Sequence, residues 1–218
     1  MRDIPEAIAQ LKYWTERDEH FAGMFIPRAC PDGAMLDHPR LHALFAVSQD
    51  LDMPIWIHGG PGRPPYTPWL GAPTAIYESL GGQYAMAGLI GGGVFDLFPR
   101  LRAGVFESLS DWLPFFVEKL DDGYSPGSAQ TPLLKRKPSE IVASGQFFCA
   151  VHPKEKLIEY AVEDLGEDVW LFTTDYPHQG TPWPDGVRMI TERTRLTESA
   201  KVKMLGGNAK RFLPRLAR

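Results

Sequence analysis

The sequence predicts an α/β protein built on a parallel sheet whose strands are arranged as a (β/α) barrel. Three observations lead there. Short, wholly apolar runs recur along the chain, and strands of that kind belong to parallel sheets covered on both faces. Stretches with helical spacing separate them, the alternating order of parallel α/β folds. Polar residues able to do chemistry stand at the carboxyl ends of four runs: His58, Glu107, His152 and Asp175. Four strands delivering such groups to one rim is barrel geometry. A doubly wound sheet would instead show a glycine-rich turn after its first strand and a single crevice.

The elements follow in order. Residues 4 to about 18 form a helix, with Ile4, Ile8 and Leu11 at helical spacing and Asp3 placed to cap it. Residues 21–26 (FAGMFI) are a buried strand stopped by Pro27, and a helix covers about 39–49. Residues 53–58 (MPIWIH) are the second strand, broken at once by Gly59-Gly60-Pro61-Gly62. A long loop and helical stretches occupy 73–98, and residues 101–107 (LRAGVFE) form the third strand. A helix over about 110–120 precedes a polar, Pro- and Gly-containing stretch, 121–144, read as a wrapped surface loop. Residues 146–151 (QFFCAV) are the fourth strand, with a helix over 153–164. Residues 169–173 (VWLFT) are the fifth, followed by the Asp175 loop and helices from 185 onward.

Bulk properties narrow the function classes. The 218 residues are 44% hydrophobic and 23% charged, ordinary for one globular domain. A net charge of −4 argues against nucleic-acid or anionic-membrane binding, which needs a basic patch. No apolar run approaches a membrane span, and residues 1–5 lack the apolar stretch of a signal peptide. Cys30 and Cys149 form no CxxC pair and are expected as reduced thiols, Cys149 in the core of a strand. A cytoplasmic protein is the expectation. Neither Gly59-Gly60-Pro61-Gly62 nor Gly91-Gly92-Gly93 makes a phosphate loop: Arg63-Pro64-Pro65 stops a helix after the first, and the second precedes a strand.

The rim residues carry the chemistry. His58 ends an apolar strand before glycines that leave room for a ligand. It is either a metal ligand or catalytic group, or a strand-end histidine with both nitrogens satisfied. Asp175, in TTDYPH, can bind a metal and take a proton from a metal-bound water; a turn or helix-capping aspartate is the alternative. Glu107 is a third rim carboxylate, or half of an ion pair. His152 and His178 are candidate substrate-pocket residues, with a plain loop histidine before Pro153 the alternative for His152, and Trp69, Tyr176 and Trp183 are placed to line an apolar pocket or to pack in the core or as a lid. His20, His38 and His42 are expected at the surface.

At these residues the chain resembles the amidohydrolase-related family (amidohydrolase family 2, with aminocarboxymuconate semialdehyde decarboxylase, resorcylate-type decarboxylases and lactone hydrolases). The resemblance runs through MPIWIHGG, GGVFDLFPRLRAGVFE, WLPF, LLKRKPSE, WLFTTDYPH and GGNAKRF, collinear over nearly the whole chain. It implies a TIM-type (β/α)8 barrel with a divalent metal, zinc or alternatively manganese, at the rim. His58 matches the family's metal-binding histidine on strand five, and Asp175 the aspartate after strand eight. Glu107 falls where decarboxylase members carry a catalytic histidine. The family's first-strand His-x-His pair is absent from these residues. The expectation is therefore an incomplete barrel, strands four to eight in one domain over residues 1–218.

The functional expectation is a metal-dependent hydrolase acting on a small carboxylated or aromatic compound. A decarboxylase is the alternative within the family, and a non-catalytic binding or oligomerising module the alternative outside it. Exposed sheet edges are expected to favour homo-oligomers.

Overall fold

The computed structural model describes residues 3–58, 72–178 and 180–217. Five parallel strands form one sheet: β1 (Met24–Pro27), β2 (Ile55–His58), β3 (Ala103–Phe106), β4 (Phe147–Val151) and β5 (Trp170–Phe172). Each expected strand is present, trimmed by up to three residues, but β1 runs through Pro27 instead of stopping before it, and of its four residues only Ile26 is buried. The spatial order is β1-β2-β3-β4-β5 with no reversal, so the sheet winds one way as in a barrel wall. A doubly wound sheet would change direction at a switch point.

The first helix, α1 (Ile4–Arg17), is capped as its sequence requires, Glu6 N donating to Asp3 Oδ1 at 2.9 Å. It packs on α2 (His42–Asp50), which leads into β2. The long helical stretch resolves into α3 (Ala72–Met86), a π-turn over Ala87–Gly91 and α4 (Val94–Leu97). Gly93 joins the last two with φ 76°, and a Cβ there would lie 2.4 Å from the backbone of Leu133 and Leu134. Only glycine fits that crossing.

Two helix expectations need correction. Residues 121–144 are not all loop: after α5 (Leu113–Gly123) they contain α6 (Pro138–Ala143). Pro138 starts α6, and Glu140 at its third position accepts from the Lys137 backbone at 3.0 Å. The helix expected from residue 153 begins later, as α7 (Ile158–Leu165). The chain closes with α8 (Gly186–Thr191), α9 (Glu198–Val202) and α10 (Asn208–Phe212).

The two sheet faces are covered differently. Ile26, Ile55, Ile57, Ala103, Val105, Cys149, Val151 and Trp170 point into the main core beneath the helices. The alternate residues, among them Phe25, Trp56, Phe106, Phe148 and Leu171, face the other way, where barrel strands turn inward. Phe212 of α10 seals that side, its ring centroid 5.0 Å from Phe148, 5.3 Å from Trp56 and 6.0 Å from Phe106. Asn208 holds α10 in place, donating to the carbonyls of Glu167 and Trp170 at 2.9 Å. Toward β1 the same face opens, and Phe25 is 62% exposed. Coverage of both faces is thus complete only over β3 to β5. Among the described residues, no helix is long and apolar enough to cross a membrane.

Candidate active site

Parallel strands end together, so their last side chains and the following loops share one rim. Trp56 and Phe148 lie level across the sheet, and two residues further along their strands stand His58 and Ala150, level with Phe106 and Leu171. A strand advances about 3.3 Å per residue, so this upper layer sits about 6–7 Å above the sealed floor. The backbone is unusual just there. Glu107 (φ 50°), Leu109 (φ 56°) and Asp175 (φ 55°) all take the left-handed conformation, which costs a non-glycine residue about 1–2 kcal/mol. Such strain persists where surrounding contacts hold it, and functional sites are where it gathers.

The polar side chains form a connected line. His58 Nε2 lies 2.6 Å from Glu107 Oε2. Asp175 stands near enough to Glu107 to raise its pKa, and Asp175 Oδ2 lies 3.2 Å from His178 Nδ1. Two neighbouring carboxylates cannot both be charged cheaply. Burial is the largest influence on Glu107 and raises its pKa; the His58 charge opposes this, and Asp175 adds to it. Glu107 is therefore the carboxyl of the pair whose pKa is raised. His152 is shifted the other way, its pKa lowered by burial and then by the Lys154 charge, so its imidazole favours the neutral form.

A cavity of about 230 Å³ opens beside this line. Glu107, His152, Asp175 and His178 give its polar wall, and Leu109, Ala150 and Thr173 its remaining lining. Those last three were not singled out from sequence, since each draws meaning only from its neighbours in space. His58 reaches the cavity through Glu107. Tyr176 and Trp183 pack on each other at 5.0 Å, each about 60% exposed, and do not line the cavity. Trp69 lies outside the described residues. His42 is half-buried with its ring edge-on to Phe98 at 5.6 Å, and so is not a free surface histidine. A larger hollow of about 540 Å³ lies near the opposite ends of the strands, bordered by Glu19, His20, Asp52 and Arg215. Arg215 is engaged there with the carbonyls of Thr15 and Asp18 at 3.1 and 3.3 Å. His20 and Glu19, 3.9 Å apart there, are both strongly exposed.

The donor types at the rim, imidazole and carboxylate, suit a divalent ion. Their number and arrangement do not suffice: among the described residues, no three His, Cys, Asp or Glu are grouped to hold one. The remaining positions, 1–2, 59–71, 179 and 218, contain none of these residue types. Two donors, His58 and Asp175, fall short of the three protein ligands usual for catalytic zinc.

Comparison with known proteins places this geometry. No protein-family model matches the chain. It is 28% identical over 190 residues to 2-amino-3-carboxymuconate-6-semialdehyde decarboxylase of Dictyostelium discoideum, an alignment covering 84% of this chain and 50% of that protein. The crystal structure of 5-carboxyvanillate decarboxylase from Sphingomonas paucimobilis superposes with a TM-score of 0.76 at 24% identity, covering 98% of this chain and 64% of that one. A dihydroxybenzoic acid decarboxylase from Polaromonas sp. JS666, with bound manganese and 2-nitroresorcinol, gives 0.75 at 20% identity, covering 99% and 67%. The chain shares the α/β fold of these solved structures, with its five-stranded parallel sheet. The sequence match with the Dictyostelium protein supports a relationship to the amidohydrolase-related family. The chain spans about half the length of that curated relative.

Proposed function

We propose that the chain carries the strand-four-to-eight part of an amidohydrolase-type (β/α)8 barrel, and that its rim serves decarboxylation of a small aromatic or enoic carboxylate. The observation that carries this reading is Glu107, joined to His58 at 2.6 Å on the wall of a cavity of about 230 Å³. Losing CO₂ breaks a carbon–carbon bond and leaves an electron pair on carbon, which must take up a proton. Glu107, whose pKa is raised by partial desolvation and by the nearby Asp175, is the donor, and His58 beside it steadies the carboxylate that remains. This answers the replacement of the histidine expected at this position in decarboxylases: a carboxyl with a raised pKa can deliver a proton as an imidazolium does. His152 and His178 stand where they can hold the substrate's oxygens. The cavity has the volume of a one-ring compound, near the small end of ligand sites.

A divalent metal belongs to this reading, manganese as in the Polaromonas enzyme or zinc, with His58 and Asp175 as this chain's contribution. Its other ligands would have to come from outside these 218 residues, and no step above passes through it. The second reading is hydrolysis, in which Asp175 accepts a proton from water; the decarboxylase relatives favour the first. A cytoplasmic location and association through the β1 and β5 edges complete the proposal.

The test is CO₂ release from single-ring substrates such as 2,6-dihydroxybenzoate and 5-carboxyvanillate, with manganese or zinc supplied. Release by the chain and its loss in Glu107→Gln support the proposal. Equal release by Glu107→Gln, or cleavage of esters or amides with no decarboxylation, would sink it. No turnover and no ligand binding would favour a non-catalytic binding or oligomerising module.

A further inference from the structure

A third carboxylate, which neither the resemblance nor the line of polar side chains above involves, lies just behind the cavity. Glu155 is only 6% exposed. Its Oε2 accepts from Ser110 N at 2.6 Å, Ser110 Oγ at 2.7 Å and Asp111 N at 3.0 Å. Its Oε1 accepts from His152 N at 2.6 Å, and its own backbone N donates to His152 O at 3.0 Å. The two oxygens thus serve two different rim loops, one following β3 and one following β4. The first loop contains the left-handed residues Glu107 and Leu109, and Trp112 Nε1 braces it by donating to the carbonyls of Ser108 and Leu109 at 2.8 and 3.0 Å. The second carries His152. Arg193 fixes the second loop from outside, donating to the carbonyls of Pro153, at 2.9 Å, and Glu155.

We infer that Glu155 is a positioning residue: a single buried carboxylate clamps the Glu107 loop to the His152 loop and so sets the width of the cavity between them. The argument is one of geometry and valence. A carboxylate has lone pairs on both oxygens and can accept from both loops at once. A glutamine of the same shape has one accepting oxygen and an NH₂ that can only donate. The amide cannot serve both loops, so one must detach. The inference goes beyond the proposed function and rests on it only for its catalytic consequence.

The experiment uses the full chain, labelled with ¹⁵N, and compares it with Glu155→Gln, Ser110→Ala and Asp96→Asn. Asp96 is the control, a buried carboxylate that accepts from Lys135 N at 2.6 Å and Arg136 N at 3.0 Å, away from the cavity. In Glu155→Gln, amide exchange at Ser110 and Asp111, or at His152, is expected to speed up by about tenfold or more, the factor of one charge-assisted hydrogen bond. The Trp112 indole N–H signal should move with it, while amides of β2 and β3 keep their protection. Asp96→Asn should leave all these rim signals in place. If Glu155→Gln does not fold, Ser110→Ala, which deletes one donor and spares the carboxylate, should still speed exchange at positions 110 and 111. Unchanged rim exchange in Glu155→Gln, or in Ser110→Ala where that variant carries the test, would overturn the inference. So would a uniform rise over the whole chain, which is what a merely structural carboxylate would give. Binding of 2,6-dihydroxybenzoate is measured alongside. Local loosening in Glu155→Gln without any binding by the parent chain would uphold the clamp and count against the proposed function.

Discussion

Replacing Phe212 with alanine tests whether the inward face of the sheet is sealed from the carboxyl-terminal end. The ring is 1% exposed and meets three other aromatic rings at 5.0, 5.3 and 6.0 Å. Gly104 makes the room: a Cβ there would come within 3.1 Å of Phe212 and 3.0 Å of Phe106. Truncating a buried phenylalanine costs about 3–5 kcal/mol, through lost transfer energy and the cavity left behind. Aromatic pairing adds about 0.5–1.5 kcal/mol per good contact. These rings are tilted and the face opens toward Phe25, so partial collapse should keep the total within the first range. With a urea dependence of about 2–3 kcal/mol per molar, the midpoint should fall by about 1–2 M with little change in slope. Equilibrium urea unfolding followed by tryptophan fluorescence reads this directly, since Trp56 is one of the contacts. A midpoint shift below about 0.3 M, well under the range for a buried ring, would refute the seal and with it the solid floor assigned to the site.

Other outcomes follow from the same structure. Gly93→Ala should destabilise by more than about 1 kcal/mol, because the left-handed backbone alone costs about that and the methyl meets the Leu133–Leu134 backbone at 2.4 Å; thermal unfolding checks it. Cys30 and Cys149 are both buried, and burial pushes the Cys149 thiol well above its usual range, so neither should react with a thiol reagent until denaturant is added. The isolated chain, loaded with manganese or zinc and desalted, should retain less than one equivalent, and His58→Ala or Asp175→Ala should lower it further; full retention by the parent would reveal a third donor. Glu107 acts as an acid, so decarboxylation should decline as pH rises through its raised pKa and should not rise there; a pH–rate profile increasing over that range would contradict its role.

All five strands could be located from the sequence because each is a short apolar run with a turn or a polar residue at its end. Their direction round the barrel followed from the helices between them. The residues of α6 hid within a polar stretch, although Lys137-Pro138-Ser139-Glu140 carries a helix-start pattern that could have revealed it. The late start of α7 has no local signal. Residues 153–157 are held out of the helix partly by Glu155, whose partners Ser110 and Asp111 lie 45 and 44 positions away. Strand ends pointed to His58, Glu107 and Asp175 as rim residues, but not to the pairing of Glu107 with His58 or of Asp175 with His178. Tyr176 and Trp183 suggested a pocket by type alone, and pack on each other at its margin.

The left-handed backbone at Glu107 and Asp175 also filters what this rim can become. Valine, isoleucine and threonine fit that conformation poorly, whatever their side chains might offer a substrate. Asparagine and glycine enter it readily. Random change at these two positions therefore has a cheap route to a folded, silent protein through Asn or Gly, and an expensive one through branched residues. A library built to redirect this rim would do better to hold both backbones fixed, drawing there on Asp, Asn, His and Gly, and to vary Leu109, Ala150 and Thr173 around them.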